Sequence, residues 1–232
     1  MTYMELTYTI LIPAYNAESS LAKLIESILR HTADFKPEKI IVVDDGSGDN
    51  TVTVARKLPV ELISLPQNRG KGAALKEGYA YFLNHCRSGY LITLDADLQH
   101  PPENIGDFLQ TAEKHNSAVI IGQRSFTPPA MPLMRVLSNT LTSQIISGLT
   151  GLKIPDSQCG YRMIRRDVLS RLELRENGFQ LESEFFFRCR ELKVRIDYCP
   201  IPTVYNDYGS SMHHVRDTLK FIQLMGRELF KR

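Results

Sequence analysis

The chain predicts an α/β fold with a mostly parallel sheet flanked by helices on both faces, and three observations carry that expectation. Five apolar bursts, Thr9–Ile12, Ile40–Val43, Val60–Leu65, Tyr90–Leu94 and Ala118–Ile121, are short, rich in β-branched residues and bounded by turn formers, as strands buried on both faces are. Helical patterns fill the gaps between them. Strand and helix therefore alternate from Thr9 to about Gly122, the pattern of successive βαβ units.

The first helix is marked by Leu21, Leu24, Ile25, Ile28 and Leu29 at i, i+3, i+4, i+7 and i+8, with Ser19 or Ser20 available as N-cap. Further helices are expected over Thr51–Leu58, Lys71–Asn84 and Glu103–Lys114. After Gly122 the regularity stops. Phe126–Pro132 holds three prolines, and no charge occurs from Val136 to Leu152, which predicts an insertion rather than a second domain. Helices return at Leu181–Leu192 and His213–Phe230 around a strand at Arg195–Cys199. One domain over 1–232 is expected, with parts at 1–122, 123–212 and a basic amphipathic helix at 213–232. Ligands in such a sheet belong at the carboxyl ends of the strands.

The 232 residues are 43% hydrophobic and 23% charged, enough for a sizeable core. A net charge of +2 leaves no global field for nucleic acid, and nucleic-acid binding is not expected. Cys86, Cys159, Cys189 and Cys199 form no C-x-x-C pair or zinc spacing, which favours free thiols and a reducing cytoplasm. No signal-peptide pattern opens the chain and no run of 18 apolar residues occurs, so a cytoplasmic or membrane-peripheral location is expected.

Four clusters at predicted strand ends could carry chemistry. The strand at Tyr90 runs straight into Asp95-Ala96-Asp97-Leu98-Gln99, two carboxylates and an amide on alternate positions. Hard oxygen ligands of this kind suit Mg²⁺ or Mn²⁺, while a cap for the next helix is the bland alternative. Asp44-Asp45-Gly46-Ser47-Gly48-Asp49 follows the second strand; it can be a turn, or its carboxylates can accept hydrogen bonds from a nucleoside's base or ribose. The first strand ends in Pro13-Ala14-Tyr15-Asn16-Ala17-Glu18, where Tyr15 can flank a nucleobase or pack within its loop. Asn68-Arg69-Gly70-Lys71-Gly72-Ala73 places two cations and free backbone N–H groups at a helix start, a setting for a diphosphate.

Taken in order and spacing, these four motifs resemble those of glycosyltransferase family 2, and the likeness covers nearly the whole chain. The resemblance implies the GT-A fold, inversion at the sugar's anomeric carbon, a nucleotide-sugar donor linked to UDP or GDP, and Mg²⁺ or Mn²⁺ on Asp95, Asp97 and Gln99. Donor contacts would come from Pro13, Tyr15, Asn16, Glu18, Asp44, Asp45, Lys71, Asp95 and Ala96. Gly122-Gln123-Arg124, Arg135 with Ser138-Asn139, and Asp156-Ser157-Gln158-Cys159-Gly160-Tyr161-Arg162 resemble the branch that glycosylates polyprenyl phosphates. That implies a lipid-phosphate acceptor bound by Arg124, Arg135, Ser138, Arg162, Gln180 and Glu182, with Asp97, Arg124 and Arg135 as catalytic residues. The part at 1–122 would then bind donor, that at 123–212 acceptor, and Gly209-Ser210-Ser211 would border the donor phosphates.

Two rivals stay open: transfer to a hydroxyl acceptor with Glu182 or Glu184 as general base, and a catalytically silent nucleotide-sugar-binding subunit. Trp is absent, so the Gln-x-x-Arg-Trp motif of processive polysaccharide synthases cannot exist here. Val215, Leu219, Ile222, Met225 and Leu229 form an apolar stripe near Arg216, Lys220, Arg227, Lys231 and Arg232, which can pack on the domain or lie on an anionic membrane. His213 and His214 lack a third ligand of matching spacing.

Overall fold

The five apolar bursts become strands: β1 Tyr8–Ala14, β2 Ile40–Asp44, β3 Glu61–Ser64, β4 Tyr90–Thr93 and β5 Val119–Arg124. They are described, with residues 6–125, 133–204 and 214–230 as a whole, by a computed structural model. Two more strands, β6 Arg162–Arg165 and β7 Ile196–Ile201, complete a seven-stranded sheet in the order β3-β2-β1-β4-β6-β5-β7. β6 runs antiparallel to both its neighbours and every other pairing is parallel. The mostly parallel α/β sheet is therefore as expected, and β6 is an addition that no apolar burst announced. Its Arg162-Met163-Ile164-Arg165 sequence is too short and too basic at its ends to read as a buried strand.

The helices are α1 Leu21–His31, α2 Thr51–Ala55, α3 Lys71–His85, α4 Ile105–His115, α5 Leu133–Thr150, α6 Arg166–Leu169, α7 Gln180–Glu191 and α8 His214–Phe230. Leu21, Leu24, Ile25 and Ile28 of α1 are fully buried, each adding about 1.5–3 kcal/mol, so truncating one is a core defect. Leu29, the fifth apolar position, is exposed. Ser20 stands at the N-cap without a side-chain cap bond; its Oγ donates to the Ala17 carbonyl instead. The helix expected over Thr51–Leu58 stops at Ala55, and β3, expected to be buried, is an exposed edge.

The uncharged stretch after Val136 is helix α5, not irregular chain. With Arg135 as its one charge, its helical signals are a weak periodicity and Gly151 just past its end, at φ 70°. Leu137, Leu141 and Ile145 lie along its exposed side, while Asn139, Ser143 and Ile146 are buried. In α8 the expected stripe divides: Met225 and its neighbour Leu224 face inward, whereas Leu219, Ile222 and Leu229 are exposed and Phe230 is 93% exposed. The inward face is fixed by Arg188 of α7, which pairs with Glu228. No helix among the described residues is long and apolar enough to cross a membrane. All four cysteines are free and buried.

Candidate active site

Because β1, β2, β4 and β5 are mutually parallel, their carboxyl ends share one edge, and antiparallel β6 enters the sheet from that same edge. Segment 156–160 is thereby carried to the ends of β4 and β5. β1 and β4 are neighbours although two βα units separate them in sequence, so chain order reverses there, the place where open α/β sheets bind their ligands.

The loops after β1 and β2 are fastened together. Asn16 Oδ1 accepts from Gly48 N at 2.9 Å while Asn16 N donates to Ser47 Oγ at 2.9 Å. Glu18 Oε2 accepts from Asn50 N, and Asp49 Oδ2 accepts from Glu18 N. Asn16 and Glu18 thus shape the loop pair as well as standing at the ligand edge, and Asn16 does so at a left-handed φ of 51°. Tyr15 is left 40% exposed beside them, while Pro13 is buried in β1. Asp44 accepts from Ser64 Oγ and Ser47 N. Asp45, 2% exposed, accepts from Arg69 N and Gly70 N at 2.8 Å each, clamping the 68–73 loop to β2. Burial raises its pKa against the pull of those two amides.

The clamped loop delivers Lys71, first residue of α3, to this edge. Gly70 makes the turn at φ +99°, where a Cβ would stand 2.5 Å from the Asn177 carbonyl oxygen. Lys71 Nζ lies 2.7 Å from Asp95 Oδ1 and 2.5 Å from Glu182 Oε1. Gly160 leaves room for this contact, since a Cβ there would sit 3.0 Å from both Asp95 oxygens and from Lys71 Nζ. Burial would lower the Lys71 pKa, but Asp95 and Glu182 together hold it above the ordinary lysine range. Burial likewise works against the Asp95 carboxylate, yet Lys71, His100 and Arg124 bring its pKa down to about 2.

Asp97 is two residues on, after a turn in which Leu98 takes φ 64° and Gln99 N donates to Asp97 Oδ1 at 3.0 Å. Burial, then the nearby Asp95 charge, pushes its pKa up to about 6, so this spot favours added positive charge. Two carboxylates and an amide within one turn fit a hard divalent cation. Among the described residues no group of three or more His, Cys, Asp or Glu gathers around a common point. A cation here would complete its shell with phosphate and water, as Mg²⁺ commonly does.

His100, which the sequence left without a role, supports this turn from below. Its Nδ1 accepts from Asp95 N at 3.0 Å, its ring packs against Tyr161, and Tyr161 stacks on Phe108. Burial lowers its pKa to about 4, so the folded protein keeps it neutral. The unfolded chain takes up that proton near pH 6.5, so the stability tied to this neutral ring is present above 6.5. It is lost as pH falls toward 4, by roughly 3 kcal/mol in all. Asp97 contributes the opposite slope, because its pKa is raised on folding. The expected result is that His100→Asn, which keeps an acceptor for Asp95 N, flattens the acid loss relative to the parent between pH 6.5 and 4 in urea titrations. Parallel pH profiles for the two proteins would refute it.

Several residues expected at the acceptor side are placed otherwise. Arg124, at the end of β5, gives its fork to Asp156: Nε to Oδ2 at 2.7 Å and Nη2 to Oδ1 at 3.0 Å, with the Asp156 side chain fully buried. Arg162 is 2% exposed, donates to the Cys159 and Glu182 carbonyls, and lies 4.7 Å over the Phe185 ring. Its guanidinium braces β6 against α7 in the core, a correction to its expected place on the acceptor surface. Gln180 is buried too, with Nε2 directed at the Asp217 carbonyl and Oε1 without a partner among the described residues. Glu184 Oε2 accepts from Arg175 N and Glu176 N, which fixes the turn before α7. Ser138 is exposed on α5. The Arg135 side chain, Phe126–Pro132, Gly209–Ser211, His213, the side chains of His214, Val215 and Arg216, and Lys231 and Arg232 lie outside the described residues.

The sequence did not reveal that Lys71 meets Glu182, 111 residues away, or that Thr93 Oγ1 donates to the Gly160 carbonyl at 2.6 Å. No local spacing could signal either contact. The Arg124–Asp156 pair had a faint signal, since both lie in motifs assigned to the same side of the site.

This sheet, with an acidic turn at the β1/β4 reversal, is that of the GT-A glycosyltransferases. It is similar to glucosyl-3-phosphoglycerate synthase from Mycobacterium tuberculosis, in a crystal structure with Mn²⁺, UDP-glucose and phosphoglyceric acid, at TM-score 0.74 and 19% identity, covering 96% of this chain and 79% of that one. The family model for glycosyl transferase family 2 matches residues 9–173. The chain belongs to glycosyltransferase family 2 and is an enzyme of that family. Among its relatives, the UDP-N-acetylglucosamine–dolichyl-phosphate N-acetylglucosaminyltransferase of Methanococcus voltae is 30% identical over 224 residues, 86% of each chain. The dodecaprenyl-phosphate galacturonate synthase of Rhizobium johnstonii is 26% identical over 176 residues, 73% of this chain and 51% of that protein.

Proposed function

We propose that this enzyme transfers a hexose from a UDP- or GDP-linked donor to a polyprenyl phosphate, with inversion at the anomeric carbon. The observation that carries the reading is the Asp95–Asp97 turn at the β1/β4 reversal with Lys71 against it. The relatives named for dolichyl-phosphate and dodecaprenyl-phosphate products support the acceptor class.

Asp95 and Asp97, with Gln99 beside them, would hold Mg²⁺ or Mn²⁺, which when bound neutralises charge on the nucleoside diphosphate leaving group. Asp44 and Tyr15 stand at the edge where the nucleoside would lie, and Asp45 holds the 68–73 loop that places Lys71 near the diphosphate. The first 122 residues would form the donor half and the following segment the acceptor half.

A phosphate monoester is largely dianionic at neutral pH because its second pKa is about 6, so its oxygen can attack without a protein base. The site agrees with this: Glu182 is engaged by Lys71 and Glu184 by two backbone amides, so the carboxylates that a hydroxyl acceptor would need as base are already committed. With the Arg124 fork given to Asp156, Arg135 on α5 becomes the leading candidate to grip the acceptor phosphate. The exposed apolar sides of α5 and α8 suit an enzyme whose acceptor carries a lipid tail.

The test is a screen of UDP- and GDP-sugars against a short polyprenyl phosphate with Mn²⁺ or Mg²⁺, the product identified by mass. A sugar-phosphate-lipid product is expected. Arg135→Ala should raise the acceptor KM about 10–100-fold, the equivalent of one charged hydrogen bond, with donor Kd unchanged. Turnover only on polyprenol or on a sugar hydroxyl would replace this reading with the hydroxyl-acceptor one.

A further inference from the structure

Lys71 stands where three separate elements meet: the start of α3, the end of β4 and the first turn of α7. Its ammonium touches one oxygen of Asp95 and one of Glu182, and its side chain is only 16% exposed. Gly160 closes one side, with no room for even a methyl group at ordinary contact distance, and the Phe179 ring lies 5.8 Å away on another. The contact is therefore built, not a chance meeting of surface charges.

We propose that Lys71 is a resident counter-ion for the metal-binding carboxylate, holding Asp95 to Glu182 until a divalent cation takes Asp95 and frees the ammonium for the donor's diphosphate. This inference rests on the metal-dependent reading given above. A divalent cation on Asp95 Oδ1 and an ammonium 2.7 Å from the same atom repel one another, so the two occupancies compete. Lysine suits an exchange of this kind because its charge is a single point on a flexible four-carbon arm. Glu182 keeps the buried ammonium paired as it moves, which avoids the large cost of an uncompensated buried charge. Lys71 is also the first residue of a 15-residue helix, whose dipole favours negative charge at that end, while Ala73 N is already held by the Asn177 carbonyl. Since Glu182 belongs to α7, metal occupancy in the donor half is linked to a helix of the acceptor half.

Two affinities that a purely structural lysine would move together should move apart. In electron paramagnetic resonance titrations with Mn²⁺ alone, Lys71→Met should bind Mn²⁺ at least about tenfold more tightly than the parent, since a like charge paired with the same carboxylate has gone. Glu182→Gln should bind it more weakly, because the ammonium then rests on Asp95 alone. With saturating Mn²⁺, Lys71→Met should bind inorganic pyrophosphate, a probe independent of the nucleobase, about tenfold more weakly by calorimetry, as for one lost charged hydrogen bond. Lys76→Met, whose ammonium bonds to Asn177 and the Arg175 carbonyl, should leave both affinities within about twofold of the parent as a control for surface charge. If Lys71→Met does not fold, the Lys71→Met/Glu182→Gln pair removes both buried charges and should still bind Mn²⁺ more tightly than Glu182→Gln. A parent that binds Mn²⁺ while its folded Lys71 variants bind no tighter overturns the counter-ion role alone. A parent that binds no Mn²⁺, with or without pyrophosphate, overturns the metal assignment and this inference with it.

Discussion

Asp97→Asn is expected to slow turnover by roughly two orders of magnitude or more at saturating donor and Mn²⁺, about 3 kcal/mol of transition-state stabilisation. Asp97 sits in a half-buried turn where burial and Asp95 together raise its pKa to about 6, so a cation nearby would favour its charged form. An amide in its place has nearly the same shape but leaves charge on a departing diphosphate with one carboxylate-bound cation fewer. The backbone bond from Gln99 N can still find an amide oxygen, so the turn should survive and the loss should fall on turnover, not on folding. Thermal unfolding of the mutant within about 2 °C of the parent would show that the fold is intact, each kcal/mol being worth roughly that much in a chain of this size. Full activity of Asp97→Asn in the presence of EDTA would overturn the assignment.

The second large effect is expected on stability. Asp156→Ala should cost about 3–5 kcal/mol, lowering the unfolding temperature by roughly 6–20 °C, because it leaves the Arg124 guanidinium without its carboxylate partner in a mostly buried setting. Arg124→Met/Asp156→Leu should recover much of that loss, since removing both charges also removes their desolvation cost. The alternative is an Arg124 that serves the acceptor phosphate and needs no internal partner. In that case Asp156→Ala would melt at the parent's temperature while acceptor KM rose, and the two measurements separate the cases cleanly.

The strand-helix alternation over the first half was legible because a strand buried on both faces must be apolar through its middle, and Ile10–Ala14, Ile40–Val43 and Val119–Ile121 are. The antiparallel β6 was not. Its place between β4 and β5 depends on Arg162 finding carbonyl partners and aromatic faces inside the core, and an arginine reads from sequence as a surface cation. Helix α5 escaped for the converse reason: beyond Arg135 in its first turn it carries no charge, so little in its composition separates it from an apolar loop.

For the site, the sequence alone determined which residue types stand at the strand ends: Asp44 and Asp45 after β2, Asp95 and Asp97 after β4, and a glycine-flanked Lys71 at a helix start. Those assignments are local, since a strand's end and the turn beyond it are written in consecutive residues. Only the tertiary structure decided who partners whom. It gave Asp45 to the Arg69 and Gly70 amides, the Arg124 fork to Asp156, Arg162 to the core, and Lys71 jointly to Asp95 and Glu182. Each of these gives a buried charge its partner, most of them distant in the chain, and the choice follows from burial, which penalises any ion left unpaired and is set only once the whole sheet has closed.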